Sequence, residues 1–331
     1  MSTDAVAARP RAAVCRDLDE LDIEAGVRML ESAGWDVVRL TADDPETIAR
    51  EAADADALAL GYARVDAALL ARLPRLRVIA TASMGVDMID MDAATRQGVW
   101  VANVLGAATE EVATHALALA LAACRGVVSY SRSVRDGAWD LEAAPMQRRL
   151  SERTLGLVGL GRIGTALAER AAPTFGRIVG YDPLLPEHVA TPGVERMGFD
   201  DVVAAADVLS LHLPLTPESA GLVDEAVLAS MPDGAVLVNV SRGGLVDRAA
   251  LLRALDEGWL AAAALDVLDV EPPPAGDALV AHPAVIVTPH AGFRSDAAMA
   301  DYVRLQAENL LAWQEHGRPA TPVNDPAALA A

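Results

Sequence analysis

The chain has 331 residues, 53% of them hydrophobic, and a formal net charge of −20. This length predicts about two domains with ample core-forming sequence. A strongly acidic surface repels phosphate backbones and anionic lipids, so we expect neither nucleic-acid nor membrane binding. There is no apolar run of the roughly 18 residues that a membrane span needs and no secretory signal, so a cytoplasmic location is expected.

The two cysteines carry little chemical information. Cys15 and Cys124 lie far apart and match no metal-binding or redox spacing. We expect both to be buried as small apolar side chains in a reducing compartment. No histidine or acidic cluster has the spacing of metal ligands, so no metal is expected.

Strand-like and helical segments alternate over the first 100 residues. The strand-like segments are 11–16, 35–40, 55–60, 77–81 and 99–101, and residues 22–33 have helical spacing. This alternation predicts a parallel sheet with covering helices. A long apolar helix is predicted next, over 109–125, and we expect it to bridge two domains.

A second alternation begins at residue 154. Its predicted strands are 154–158, 177–181, 208–211, 235–240, 261–265 and 285–287. Six strands with helices between them match a dinucleotide-binding domain. Residues 295–315 are predicted to form one long helix, and residues 321–331 a tail.

A glycine motif follows the strand predicted at 154–158. Gly159, Gly161 and Gly164 form the pattern GxGxxG, and a helical segment follows at 165–171. In a chain with 24 glycines the pattern alone is weak. Between a strand and a helix it is stronger, because backbone N–H groups and the helix N-terminus are then placed to bind a pyrophosphate.

Asp182 ends the next predicted strand, about 20 residues beyond the motif. A carboxylate there accepts hydrogen bonds from the ribose hydroxyls and repels a 2′-phosphate, so NAD is favoured over NADP. The alternative is a tight turn followed by a chance aspartate.

Three polar segments follow the ends of later predicted strands, and they contain Arg242, Glu271 and His290. Ligands bind where parallel strands end, so we expect these side chains to converge. For reduction of a 2-oxo acid, Arg242 would grip the carboxylate, His290 would donate a proton, and Glu271 would hold the imidazole and favour its charged form. The alternatives are an ion-pair arginine, a loop acid and a capping histidine.

The chain resembles the D-isomer-specific 2-hydroxyacid dehydrogenases over nearly its whole length. The resemblance rests on the motifs at 85–90, 159–164, 181–183, 211–214, 239–247, 264–272 and 288–292. It implies two doubly wound α/β domains, a Rossmann NAD-binding domain inserted into a flavodoxin-like substrate domain. We place the substrate domain at 1–104 and 292–331 and the NAD-binding domain at 105–291.

The resemblance also implies roles for individual residues. Arg242, Glu271 and His290 correspond to catalytic positions, and Asp266 to a residue that contacts the nicotinamide carboxamide. Met84 and Gly85 correspond to a loop whose N–H groups bind the substrate carboxylate, and Phe293 is expected to contact the substrate beside Arg242 and His290. The predicted cofactor contacts are Gly159, Gly161, Arg162, Ile163, Gly164, Asp182, His212, Leu213, Pro214, Val240, Ser241, Asp266 and Gly292.

Within the family, the segments at 109–113 and 289–295 are most similar to bacterial relatives of the C-terminal-binding proteins, NAD(H)-binding corepressors. Phe293 stands where those corepressors carry a tryptophan. Leu105, Ala108 and Thr114 depart from the usual pattern near the junction of the two domains.

We therefore predict an NAD-dependent D-2-hydroxyacid dehydrogenase that acts more often as a 2-oxo acid reductase. The alternatives are an NAD(H)-sensing binding module with little turnover and a glyoxylate or hydroxypyruvate reductase. A homodimer is expected from the family.

Six further side chains are predicted to be structural or are left open. His212 has a cofactor-side and a structural interpretation of equal weight, and His115 is expected to pack on the apolar helix. Trp139 is expected to pack in the core, and the alternative is that it covers the domain interface. His188, His282 and His316 are expected to be solvated or to cap helices.

Overall fold

The computed structural model describes residues 9–18, 21–186 and 189–329, which divide into two compact units. The first unit runs to Ala107 and resumes at Ser295, and the second runs from Ala108 to Arg294. The sequence prediction sets domain limits at 104/105 and 291/292, whereas the compact units divide at 107/108 and 294/295.

The first unit is built on a five-stranded parallel sheet in its described residues. Its strands are β1 (Arg11–Val14), β2 (Asp36–Arg39), β3 (Ala57–Leu60), β4 (Val78–Thr81) and β5 (Trp100–Ala102). Its helices are α1 (Ile23–Ser32), α2 (Pro45–Glu51), α3 (Ala67–Ala71), α4 (Met91–Arg96) and, from the far end of the chain, α12 (Asp296–His316). The strand order β2-β1-β3-β4-β5 is that of flavodoxin-like folds.

Strands β3 and β4 are buried at every position, because helices cover both faces of a parallel sheet. Helix α12 is fixed on one face by Gln306, whose amide donates hydrogen bonds to the carbonyls of Leu60 (2.9 Å) and Ala80 (2.8 Å). A polar side chain buried this deeply is tolerated because it is hydrogen-bonded.

The second unit contains a seven-stranded parallel sheet in its described residues. Its strands are β6 (Thr154–Val158), β7 (Arg177–Tyr181), β8 (Glu195–Arg196), β9 (Val208–Leu211), β10 (Ala235–Asn239), β11 (Leu260–Leu265) and β12 (Val285–Val287). Its helices are α5 (Thr109–Cys124), α6 (Val127–Arg135), α7 (Arg162–Ala171), α8 (Phe199–Ala205), α9 (Glu225–Ser230), α10 (Arg248–Asp256) and α11 (Ala278–Ala281).

The strand order β8-β7-β6-β9-β10-β11-β12 is the doubly wound order 3-2-1-4-5-6 with a seventh strand added at one edge. The order in which the chain adds strands to the sheet reverses between β6 and β9, and these two strands are parallel neighbours. Ligands of such sheets bind outside the carboxyl ends of the strands at this switch point. Two doubly wound parallel-sheet units confirm the predicted fold class.

Two local predictions differ from the structure, and one strand was not predicted. Trp139 was expected in the core and is 91% exposed. The beginning of the predicted tail is bound to the first unit, because the Asn324 side chain accepts from Val101 N (2.7 Å) and donates to Val99 O (2.9 Å), and Pro322 forms a bridge with Ala102. Strand β8 was not predicted, since two exposed or half-exposed polar residues have no hydrophobic pattern.

Both cysteines are buried free thiols, as predicted. The ring of His282 accepts a hydrogen bond from Ala284 N (3.2 Å), whereas His316 is exposed in the last turn of α12. His188 lies outside the described residues.

No single helix among the described residues is long and apolar enough to cross a membrane. Helices α5 and α6 meet the length and composition criteria only when taken together, and they are bent by 62° at their junction.

Candidate active site

The glycine motif lies where β6 passes into α7, at the switch point of the larger sheet. Gly159 has φ +103°, and a Cβ there would lie 2.5 Å from the carbonyl oxygen of His212. At Gly164 a Cβ would lie 2.0 Å from the carbonyl oxygen of Gly159. These two glycines are therefore required by the packing of the protein itself.

Gly161 is different, because a Cβ there would meet no atom within 4 Å and its φ of −67° suits any residue. Gly161 is also the N-cap of α7, and no side chain caps that helix. The space beside Gly161 and the uncapped N–H groups of α7 fit the pyrophosphate of a dinucleotide.

Aspartate side chains cap seven other described helices, which explains part of the acidic composition. These helices are α1, α2, α3, α4, α9, α10 and α11, capped by Asp22, Asp44, Asp66, Asp90, Asp224, Asp247 and Asp277. Helix α7 carries no such carboxylate at its N-terminus. A carboxylate there would repel a phosphate.

Asp182 follows β7 beside the glycine motif. Its Oδ2 accepts from Leu160 N at 2.8 Å, and its Oδ1 accepts from Leu184 N (2.8 Å) and Leu185 N (3.1 Å). Three backbone donors fix the carboxylate, and its two oxygens offer about four acceptor positions, so one stays available for a ribose hydroxyl.

His212 follows β9 and is held by the protein. Its backbone N–H donates to Val158 O (2.7 Å), and its Nε2 lies 2.8 Å from the Ser210 hydroxyl. Burial lowers the pKa of His212 to about 4, so the ring is neutral near pH 7. These contacts favour the structural interpretation, and the predicted cofactor role of His212, Leu213 and Pro214 stays a prediction.

Arg242, Glu271 and His290 all belong to loops that follow parallel strands of the second unit. Arg242 lies beyond β10, Glu271 beyond β11 and His290 beyond β12, so all three lie at the same edge of the sheet. A Cβ on Gly243 would lie 2.0 Å from the backbone of Leu268, so only glycine lets the first two loops cross this closely.

His290 and Glu271 form a hydrogen-bonded pair, with His290 Nδ1 2.8 Å from Glu271 Oε2. The other oxygen of Glu271 accepts from Leu268 N at 2.7 Å. Burial by itself raises the pKa of Glu271, but the hydrogen bonds from His290 and Leu268 and the charges of His290 and Arg242 outweigh it and hold that pKa below its ordinary value. Glu271 is therefore an anion that fixes Nδ1. The second ring nitrogen, Nε2, is the atom that could exchange a proton with a ligand.

The backbone of His290 is strained. It is the only non-glycine residue with positive φ (52°) in the described part of the chain. Such a conformation persists only where surrounding contacts impose it, and it is found most often at functional sites. At His290, the backbone N–H donates a hydrogen bond to Asp266 O (2.8 Å), and the Glu271 carboxylate holds the ring.

Asp266 lies beneath this loop and is only 2% exposed. Its Oδ1 accepts from the Thr288 hydroxyl (2.5 Å) and Ala291 N (2.9 Å), and its Oδ2 accepts from Gly292 N (2.8 Å). His115 Nε2, from α5, lies 3.3 Å from Oδ1. Burial raises the pKa of Asp266, yet these hydrogen bonds outweigh it and keep the pKa below its ordinary value.

His115 is the contact that the sequence prediction missed. It was expected to pack on an apolar helix, whereas its Nε2 lies 3.0 Å from the Thr288 hydroxyl. The one available signal was a polar ring among the alanines and leucines of α5.

The remaining predicted substrate residues lie in two places. Phe293 makes an edge-to-face contact with the His290 ring, with centroids 6.3 Å apart. In the first unit, the turn after β4 is fixed through its carbonyls, since Asn103 Nδ2 donates to Met84 O (2.9 Å) and Ser83 Oγ to Gly85 O (2.6 Å). Among the hydrogen bonds of the described residues, none is donated by the backbone N–H of Met84 or Gly85.

Ser241 and Val240 follow β10. The Ser241 hydroxyl donates to Leu211 O (2.8 Å), and its N–H donates to Asn239 Oδ1 (3.0 Å). Arg162 and Ile163 form the first turn of α7. The described residues contain no group of three or more histidine, cysteine or acidic side chains that would hold a metal ion.

A dinucleotide fold with an arginine, a carboxylate and an imidazole at its ligand-binding edge defines a nicotinamide-dependent oxidoreductase. Residues 117–292 match the family model of the D-isomer specific 2-hydroxyacid dehydrogenase, NAD binding domain. The chain belongs to this family, and it is an NAD-binding enzyme of the 2-hydroxyacid dehydrogenase class.

Three similar proteins illustrate the range of this family. The chain is 37% identical to a glyoxylate reductase of Korarchaeum cryptofilum over 321 residues, which are 96% of each chain. It is 42% identical to a D-3-phosphoglycerate dehydrogenase of Mycobacterium tuberculosis over 261 residues, 76% of this chain but only 49% of that protein.

The third is the crystal structure of an NADPH-dependent glyoxylate/hydroxypyruvate reductase of Sinorhizobium meliloti in complex with NADP and malonate. It has a TM-score of 0.81 and 31% identity, and the match covers 95% of this chain and 97% of that one. The predicted closeness to the C-terminal-binding proteins stays a prediction.

Proposed function

We propose that this protein reduces small 2-oxo acids to D-2-hydroxy acids, with Arg242 as the carboxylate anchor and His290 as the proton donor. The observation that carries the proposal is the His290–Glu271 pair at 2.8 Å, held beside Arg242 where parallel strands end. A partly exposed cluster of this kind matches the chemistry of carbonyl reduction, which needs one cation, one acid and one orienting base.

When bound, reduced nicotinamide supplies the hydride that is added to C2 of the substrate. The guanidinium of Arg242 grips the substrate carboxylate in a bidentate manner and polarises the adjacent carbonyl. His290 Nε2 delivers a proton to the oxygen that gains charge. Glu271 holds Nδ1, which fixes the ring orientation and favours its charged form. In the oxidative direction the same imidazole accepts the proton.

Glyoxylate or hydroxypyruvate is the favoured substrate type. The match to a glyoxylate reductase covers 96% of both chains, whereas the match to a phosphoglycerate dehydrogenase covers 49% of that protein. The substrate loop that contains Met84 and Gly85 is the proposed contact for the acid's carboxylate.

The test is turnover with NADH against glyoxylate, hydroxypyruvate, pyruvate and 3-phosphohydroxypyruvate. We expect Arg242→Ala and His290→Ala to lose about 10²- to 10⁴-fold in kcat while His290→Ala still binds NADH. Arg253→Ala, an exposed arginine paired with Glu225 in the same unit, is the matched control. Near-wild-type turnover in Arg242→Ala would overturn the proposal. Failure of the wild-type protein on all four acids would favour an NAD(H)-sensing binding module.

We also propose a homodimer formed through the segment around α6. Exposed apolar side chains lie on α6 and the segment that follows it, with Trp139 91%, Leu141 80% and Met146 96% exposed. An apolar cavity of about 270 Å³, lined in part by Cys124 and Ile286, lies beside them. Met146 lines this cavity, and exposed apolar side chains beside an apolar cavity are what a self-complementary two-fold interface requires.

Light scattering measures this directly. The wild-type chain is expected to run at twice its mass, and Trp139→Ser with Met146→Ser at its single mass. A monomeric wild-type chain would remove the proposal. A cytoplasmic location is proposed with it, supported by two buried free thiols, and cell fractionation is the check.

A further inference from the structure

We propose that His115 is a positioning residue, which acts through Thr288 and Asp266 to hold the nicotinamide-binding carboxylate and the strained loop of His290. The inference rests on the proposed function, because it assumes that Asp266 contacts the nicotinamide carboxamide.

The direction of each hydrogen bond in this cluster follows from proton counting. Asp266 is an anion and offers only acceptors. The single hydroxyl proton of Thr288 is therefore committed to Asp266 Oδ1 at 2.5 Å. The Thr288 oxygen can then only accept from His115 Nε2, 3.0 Å away, so His115 carries its proton on Nε2.

This arrangement determines which atom of Asp266 stays available. Oδ1 accepts from the Thr288 hydroxyl and Ala291 N and lies 3.3 Å from His115 Nε2, whereas Oδ2 accepts only from Gly292 N among the hydrogen bonds of the described residues. Oδ2 therefore keeps an acceptor position for a carboxamide N–H. If the Oδ1 donors were lost, the carboxylate would turn and Oδ2 would move.

The cluster also reaches the proton donor. Asp266 O accepts from His290 N at 2.8 Å, so the same residue that receives His115 fixes the backbone of His290 at its positive φ. A Cβ on Gly292 would lie 2.8 Å from Asp266 Oδ2 and 3.3 Å from the His115 ring, so the loop packs against both.

His115 joins two segments that are far apart in sequence. Helix α5 begins directly after the chain enters the second unit at Ala108, and the loop of residues 288–294 is the last segment before the chain leaves it. The His115–Thr288 contact spans 173 residues. It ties the entry helix to the loop that carries His290.

The test uses the intact protein and three single variants. His115→Gln places an N–H donor the same number of bonds from Cβ, His115→Leu keeps the volume without the donor, and Thr288→Val removes the bridging hydroxyl. His282→Leu is the matched control, because His282 is a mostly buried histidine of the same unit that caps a backbone N–H elsewhere.

Binding is measured by fluorescence with NADH and with ADP-ribose, which lacks the nicotinamide. We expect His115→Leu and Thr288→Val to weaken NADH binding about tenfold and leave ADP-ribose binding unchanged. Their kcat should fall about 10- to 100-fold, since small misplacements of reacting groups have effects of this size. His115→Gln and the control should stay within about threefold of wild type.

Equal loss of NADH and ADP-ribose affinity in both variants would overturn the proposal, because it would signify general damage to the unit. A His115→Gln variant no better than His115→Leu would also overturn it, since packing alone would then explain the histidine. If His115→Leu does not fold, the same comparison of NADH and ADP-ribose binding in Thr288→Val tests the proposal. The binding comparison needs no turnover, so failure of the proposed reaction would be seen separately.

Discussion

Gly161 and Gly164 belong to one motif, and the structure predicts opposite consequences for replacing them with alanine. At Gly164 the added Cβ would lie 2.0 Å from the carbonyl oxygen of Gly159, well over 1 Å inside van der Waals contact. The obstacle is backbone, so it has no rotamer through which to yield. We expect Gly164→Ala to lower the free energy of unfolding by about 3 kcal/mol or more.

At Gly161 the same change meets no protein atom within 4 Å and needs no positive φ. Alanine is a poorer N-cap than glycine, but it also restricts the unfolded chain, and the two effects are each below about 1 kcal/mol and opposite in sign. Stability should therefore hardly change. The Cβ instead occupies the approach to the N-terminus of α7, so NADH binding should weaken at least tenfold, about 1.4 kcal/mol.

Thermal unfolding without cofactor and NADH titration by fluorescence separate these outcomes. Gly164→Ala should lower the Tm by several degrees, and Gly161→Ala should keep the Tm and lose affinity. Wild-type NADH affinity in Gly161→Ala would refute the assignment of this glycine to the phosphate site. A Tm loss as large as that of Gly164→Ala would show that it is a packing glycine.

Three other predictions concern carboxylates. Glu271→Gln removes the carboxylate charge that holds His290 Nδ1, so kcat should fall about 10- to 100-fold, and an unchanged kcat, like that expected of the exposed control Glu195→Gln, would contradict this. Asp182→Asn removes the repulsion of a 2′-phosphate, and the ratio of kcat/KM for NADH over NADPH should fall about 10- to 100-fold; an unchanged ratio would count against the ribose contact. The pKa of Asp266 is lower in the folded chain than its ordinary 3.8, so its stabilisation is complete above that pH and is lost as the pH falls through the folded value. The free energy of unfolding, measured with urea, should therefore fall less between pH 5 and pH 3 in Asp266→Asn than in the wild type. An equal fall in the two proteins would argue against this.

The buried strands were the most predictable part of the fold. Strands β6, β7, β9 and β12 begin and end where the sequence predicts, because a parallel strand covered on both faces is a continuous apolar run. The edge strand β8 has two polar or half-exposed residues and no such run, so nothing local predicts it. Helix α6 has no buried residue, and its apolar face was equally difficult to interpret.

The candidate site also has a part that could be predicted from the sequence and a part that could not. The glycine motif and the aspartate after β7 are local signals, since each is fixed by a strand, a turn and a helix adjacent in sequence. The convergence of Arg242, Glu271 and His290 was also predictable, because the carboxyl ends of parallel strands share one edge. The pairing of Glu271 with His290 was predicted too, but its 2.8 Å geometry was not, since it depends on how two loops that follow different strands pack together.

The sequence by itself therefore determined the two-sheet architecture, the dinucleotide motif and the chemical types at the ligand-binding edge. Only the tertiary structure decided that His115 faces Thr288 and Asp266 instead of apolar neighbours, and that Trp139 is exposed. The physical reason is that local patterns report which side chains avoid water. Which polar group meets which depends on how segments 173 residues apart are brought together.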